Sequence, residues 1–243
     1  MKSLLSIGLL AAVSATSFAN SDKEWTLNFD AQSVWMSKNQ ISVPNGATRF
    51  SFRDLTGTGS KRAFRGELIY RPGGKATEWR LLVAPLRYSG NGTLAAPVSF
   101  QGQVFASSTT TQGTYKFNSY RLTWRREFSP GWSLGATLKL RDARIALKQG
   151  ATSASESNVG LVPLLHLSGR RELGGGFTAN LDIDAAWAKQ GRAVDLGLAL
   201  GYKVNPDVEI RLAERVLEGG ADVPKVYNFS QFNYLSFGTS VRF

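Results

Sequence analysis

From Trp25 onward, apolar and polar side chains alternate one for one over runs of ten or more residues. Between Phe177 and Trp187, one face holds Phe177, Ala179, Leu181, Ile183, Ala185 and Trp187. The other holds Thr178, Asn180, Asp182, Asp184 and Ala186. Val194, Leu196, Leu198, Leu200 and Tyr202 likewise turn away from Asp195, Gly197, Ala199, Gly201 and Lys203, and Trp25–Gln32 and Trp132–Arg141 repeat the pattern. A period of two is the signature of a β-strand. Runs this long exceed the five or six residues usual in soluble sheets. No stretch after the first twenty residues approaches 18 apolar residues, so membrane-spanning helices are excluded.

A soluble sandwich also alternates, with its apolar face turned inward. The aromatic residues separate the two architectures. Trp25 and Trp35 lie ten residues apart on one face, which on a tilted strand spans roughly the 25 Å apolar band of a membrane barrel. Trp79, Trp124 and Trp132 fall beside short turns, and Trp187 lies at the opposite strand end. Tryptophans at both strand ends read as two interfacial girdles. The expected fold is an all-β, antiparallel, up-and-down transmembrane barrel.

Four tight Gly- or Pro-bearing turns punctuate the chain, at Arg71–Lys75, Ser129–Gly131, Gly174–Gly176 and Asn205–Asp207. They join five hairpins and give ten strands, over 24–36, 62–71, 77–88, 114–127, 131–146, 158–172, 177–188, 192–203, 207–217 and 230–243. Longer links at 37–61, 89–113, 147–157, 189–191 and 218–229 take the other side. Short periplasmic turns and long external loops are the asymmetry of bacterial outer-membrane barrels. Twelve strands is the alternative, with a further hairpin built from Phe50–Arg53 or Ser99–Phe105. Ahead of the barrel, Lys2, the apolar run Leu4–Val13, and Ser17 and Ala19 read as an export signal cut before Asn20. The domain organisation is therefore a signal peptide over 1–19 and one barrel over 20–243.

Composition narrows the chemistry. There are no cysteines and one histidine, which excludes a disulfide framework, a thiolate metal site, a cysteine nucleophile and a multi-histidine metal centre. No cofactor and no metal are expected. The 29 Lys plus Arg against 18 Asp plus Glu give a net charge of +11, yet an exported barrel has no access to nucleic acid. The chain finishes Tyr234-Leu-Ser-Phe-Gly-Thr-Ser-Val-Arg-Phe243, apolar at alternate positions and aromatic at its end. This resembles the carboxy-terminal signal of bacterial outer-membrane β-barrel proteins. The resemblance implies a cell outer-membrane location in a Gram-negative bacterium, a surrounding of outer-membrane lipid and lipopolysaccharide, and engagement of the barrel-assembly machinery through the strand ending at Phe243.

Strand parity turns a charged set inward: Arg65, Arg121, Arg125, Lys139, Arg141, Arg170, Lys203, Arg211, Arg215 and Arg242 against Asp30, Glu67, Asp182, Asp184, Asp195 and Glu209. Ten strands enclose a bore that side chains can largely fill. Two readings follow. The set forms a self-neutralising network that plugs a structural barrel, or its basic excess lines a narrow, porin-like channel for small anionic solutes. At the expected external rim, Arg144, Arg192, Glu218 and Asp222 suggest a phosphate-binding or receptor surface, since arginine forks match phosphate geometry.

One arrangement suggests catalysis. His166 and Ser168 share a strand face, and Asn180 follows on the next strand. The set resembles the His–Ser–Asn pattern of outer-membrane phospholipase A, and the His-x-Ser pair resembles that of the lipid A deacylase. The resemblance implies His166 as general base, Ser168 as nucleophile and Asn180 as the orienting group. Parity counters it: Leu161, Leu165 and Leu167 take the lipid-facing positions, which sends His166 and Ser168 inward, away from a lipid substrate. An omptin-like protease would need a histidine near the external rim, and His166 is too deep. The expectation is a non-enzymatic barrel.

Overall fold

The computed structural model describes residues 24–73 and 75–243, so the expected signal segment over 1–19 lies outside the described residues. Alternation becomes strand throughout: β1 (Trp25–Ser42), β2 (Lys61–Tyr70), β3 (Thr77–Ala84), β4 (Arg87–Thr93), β5 (Val98–Phe100), β6 (Gln103–Phe105), β7 (Thr110–Ser129), β8 (Trp132–Gln149), β9 (Thr152–Gly174), β10 (Phe177–Ala188), β11 (Gly191–Lys203), β12 (Val208–Val223) and β13 (Val226–Arg242). A single turn of helix, α1 (Arg53–Thr56), lies between β1 and β2. Both β3 and β4 pair with β7, so together they make one stave interrupted at Pro85 and Leu86. The sheet runs β3-β2-β1-β13-β12-β11-β10-β9-β8-β7 and returns to β3. The chain is thus a closed antiparallel barrel of ten staves, and the twelve-strand alternative falls. Phe50–Arg53 and Ser99–Phe105 supply no stave, but α1 and the small β5–β6 hairpin.

The wall is taller than the alternation suggests. The expected loops 147–157 and 218–229 are strand apart from tight turns at 150–151 and 224–225. Above the lipid there is no apolar solvent to select one face, so period-two hydrophobicity fades while backbone pairing continues. The lipid band itself is clear outside: Leu27, Phe29, Leu81, Leu122, Leu138, Leu165, Leu198, Leu212 and Phe237 are all exposed. At its short-turn edge Trp25 stacks on Tyr70 at 4.5 Å between ring centroids, Tyr70 is the register partner of Trp79, and Trp79 that of Trp124. Ten residues separate Phe177 from Trp187, as they do Trp25 from Trp35, a height of about 25 Å on tilted strands.

Staves differ in height. β9 has 23 residues and β10 only 12, and their pairing stops at Leu165–Ala185. Above Leu165, the edge of β9 that faces β10 has no ladder partner among the described residues. Arg170 N–H donates toward β8, to Gly131 O, so alternate residues up β9 do the same, and Pro163 turns its ring nitrogen to the unpaired side. Proline is suited to such an edge, where no ladder bond is lost.

The two long loops fold into the barrel mouth. Phe50, Phe52 and Leu55 from one, and Leu94, Val98, Phe100 and Phe105 from the other, pack against inward Val34, Met36, Tyr88, Tyr115, Ile145, Leu147, Leu217, Phe232 and Tyr234. The inner wall is bared to receive α1. A Cβ on Gly90 would come within 2.6 Å of Thr56 Cα, one on Gly92 within 2.8 Å of Leu55 Cα, and one on Gly113 within 2.9 Å of the Phe52 ring. Gly90 and Gly113 are direct cross-strand partners. Tyr88 locks the same loop by donating its hydroxyl to Gly59 O.

Candidate functional site: the charged bore

Beneath the apolar mouth, alternation delivers charge to the axis. Asp184 on β10 and Asp195 on β11 are direct register partners, an opposition of like charges that destabilises a sheet unless something bridges it. Arg121 crosses from β7 and does so, donating to Asp184 at 2.7 Å and to Asp195. Arg215 binds Asp195 with two nitrogens, one at 2.6 Å. Thr137 on β8 donates to Asp184 at 2.7 Å. Lower down, Arg80 on β3 donates to Asp182 at 2.6 Å and pairs with Glu67 at 2.6 Å, while Asn28 on β1 donates to Glu67 at 2.8 Å. One connected network therefore ties β1, β2, β3, β7, β8, β9, β10, β11 and β12 across the bore.

His166 is a hinge of this network. Its Nδ1 lies 2.9 Å from Asp184 Oδ1 and its Nε2 lies 3.1 Å from Arg80 Nη1. An arginine nitrogen has only hydrogens to offer, so in this contact Nε2 is the acceptor, and Nδ1 is left to donate to Asp184. Ser168 Oγ accepts from Arg125 at 2.7 Å, and Asn180 accepts from Arg170 and donates to Thr178. No hydrogen bond among the described residues joins His166, Ser168 and Asn180 into a relay. His166, Asp182 and Asp184 do bring one ligand atom each within 4.8 Å of one another. The Arg80 guanidinium already occupies the position of the cation between Asp182 and His166.

Two levels flank the network. Toward the mouth, Lys139 stands 4.8 Å from the Phe117 ring centroid and Arg215 lies 4.7 Å from that of Tyr234, so charge meets the apolar plug through cation–π contacts. Arg141, also inward, donates to Asn158 and keeps its Nε unpaired. Toward the short turns the bore opens into a cavity of about 590 Å³ lined by Asn28, Asp30, Arg65, Arg170, Glu209 and Arg211 among others. Arg170 pairs with Glu209 at 2.6 Å and Arg211 with Asp30 at 2.8 Å. Arg211 reaches Asp30 across β13 because the intervening inward residue is Gly238, where a Cβ would collide with the Asp30 carboxylate. Arg65 stands beside Asp30 in register, and its nearest carboxylate, that of Glu67, is 3.8 Å away. The Nε atoms of Arg65 and Arg211 have no hydrogen-bond partner among the described residues.

The rim residues do not converge. Arg192 pairs with Glu218 at 2.8 Å and lies over the Phe229 ring. Asp222 accepts from Asn45 at 2.6 Å, and Arg144, on a different part of the wall, donates to Ser155 at 3.2 Å and to no other described residue. Sequence reasoning missed Arg80 and Glu78, which pairs with Arg71 and Arg125. The alternation of Trp79, Leu81 and Val83 was the signal that places both inward.

No family model matches this sequence, and no curated protein matches it. Among solved structures, the outer-membrane protease OmpT from Escherichia coli superposes with a TM-score of 0.55 at 10% identity, covering 90% of this chain and 97% of that one. Ail, the attachment invasion locus protein of Yersinia pestis, gives 0.40 at 11% over 90% and 99%. The toluene transporter TodX of P. putida gives 0.41 at 7% over 92% and 91%. At such identities the likeness is one of architecture. With its closed ten-stave sheet, its outward apolar band and its aromatic girdle, the chain has the fold of the bacterial outer-membrane β-barrels.

Proposed function

We propose that this chain is a sealed, non-enzymatic barrel of the outer membrane, its short turns in the periplasm and its loops outside. The observation that carries the reading is the filling of the bore. Loop residues Phe52, Leu55, Phe100 and Phe105 are fully buried in the mouth, and the Arg121–Asp184–Asp195–Arg215 cluster closes the middle. A mouth filled with buried apolar side chains offers a water file no hydrogen-bonding partners, and paired buried charges have no free valence for a permeating ion. Catalysis finds no support, because the His166 lone pair is taken by Arg80 and the Ser168 hydroxyl by Arg125.

The test is single-channel recording of the refolded barrel in a planar bilayer under a salt gradient. A sealed barrel gives no discrete current steps. Steps with anion preference in the wild-type protein would overturn the reading and make the basic bore a pore.

A second reading concerns the open end. Arg211 pairs with Asp30, Arg65 stands beside it in register with the Glu67 carboxylate only at 3.8 Å, and each arginine keeps an Nε without a hydrogen-bond partner among the described residues. This favours a vestibule that takes small anions from the periplasmic side.

A further inference from the structure

The outer wall carries a row of cations that the bore does not explain. Arg87 on β4 is the direct register partner of Lys116 on β7, and Lys116 is that of Arg144 on β8. Their neighbours Tyr88, Tyr115 and Ile145 are buried inward, so by strand parity all three side chains project outward. Three like charges on directly opposed positions repel one another in a sheet. The local counter-charge is partial: Asp142 pairs with Lys116 at 2.6 Å, Arg144 has only the Ser155 hydroxyl, and Arg87 has no partner among the described residues. The patch therefore retains two uncompensated positive charges.

Its height is specific. The last outward apolar residues below it are Tyr120 on β7 and Leu140 on β8, each four residues from the row. That places the cations about 10 Å above the edge of the hydrocarbon on tilted strands. A lipid headgroup occupies that level, and guanidinium forks bind phosphate through paired, charge-assisted hydrogen bonds. Arg192, an outward arginine on a different part of the rim, is neutralised by Glu218 and is not part of the row.

We propose that Arg87, Lys116 and Arg144 form a binding site for the phosphorylated headgroup of outer-leaflet lipopolysaccharide. The site rests on the placement of the loop end outside the cell. A phosphate monoester carries nearly two negative charges, which matches the two unpaired cations. Lys116 keeps Asp142, while Arg87 and Arg144 grip the phosphate from either side.

The experiment compares lipopolysaccharide retained per barrel after detergent extraction from outer membranes. It uses the wild type, the triple variant Arg87→Gln/Lys116→Gln/Arg144→Gln and the control Lys38→Gln/Lys148→Gln. Heat-modifiable gel mobility verifies folding in each. The triple variant is expected to retain at least tenfold less, and the control as much as the wild type. In a second arm the refolded barrel binds lipid A but not dephosphorylated lipid A. Equal retention by the triple variant and wild type, or equal binding of the two lipids, overturns the site while leaving the barrel's placement intact. Recovery of the folded protein in fractions other than the outer membrane would overturn the placement itself.

Discussion

Arg121 shows how a single residue holds the bore. Asp184 and Asp195 face each other on adjacent strands, and the Arg121 guanidinium between them converts a repulsion into a bridge. Arg121→Leu leaves both carboxylates without it, and breaking a buried ion pair in this way costs on the order of 3–5 kcal/mol. Urea unfolding of the lipid-inserted barrel should show the loss. Arg121→Lys should recover only part of it, because an ammonium lacks the planar fork that spans two acceptors. An unchanged midpoint for Arg121→Leu would mean that Arg215 alone suffices for Asp195. The aspartates and Arg121 were legible in the alternation, since each sits at an inward position of an uninterrupted strand. Arg80 was missed although Trp79, Leu81 and Val83 alternate cleanly around it, because the apolar stretch from Leu82 to Leu86 and the break at Pro85 obscure which face the rest of that stave turns inward. The chemistry of His166 was equally hidden: only the partner across the bore tells that its second nitrogen is engaged.

At the scale of elements, the telling unit is the glycine shelf beneath α1. Gly92→Val puts a branched side chain where even a Cβ lies 2.8 Å from Leu55 Cα, and the obstructing atoms are backbone that cannot swing aside. The helix should lift from the wall while the ten staves persist. The expected outcome is discrete current steps in planar bilayers from a barrel of native gel mobility, where the wild type gives none. Silence from a folded Gly92→Val barrel would mean that the β5–β6 hairpin seals the mouth without α1. The inserted loops left a trace in the sequence that alternation could not read. Phe50, Phe52, Leu55, Leu94, Val98, Phe100 and Phe105 all fall in segments assigned to external loops, and so many large apolar residues have no place on a solvated loop. The staves themselves were readable wherever lipid enforces an apolar face. They became unreadable above it, in the polar upper strands around residues 152–157 and 218–223.

Taken whole, the molecule has three levels in series: an apolar plug, a charged girder and a polar vestibule open on the short-turn side. On the sealed reading, access is one-sided. Inorganic phosphate should reach Arg65 and Arg211 from the vestibule, and titration calorimetry should detect its binding to the folded barrel. Arg65→Gln/Arg211→Gln should weaken that binding at least tenfold, and equal binding would dismiss the vestibule as an anion site.

This layering also decides where an electrical potential acts. In the sealed barrel proposed above, the vestibule shares the potential of the solution beneath it, so an applied voltage would fall mainly across the plugged outer half. The plug segments there, residues 43–60 and 94–109, contain Arg49, Arg53 and Asp54 as their only charged residues, a net of 2 − 1 = +1. One elementary charge carried through the full drop changes the energy by about 2.3 kcal/mol per 100 mV. Arg53 is tied to Ser37 O at 2.7 Å and Arg49 is stacked 3.7 Å over the Tyr227 ring, so neither travels far while the plug is seated. On the sealed reading the barrel is a dielectric stopper, with little charge in its plug for a field of either polarity to pull upon.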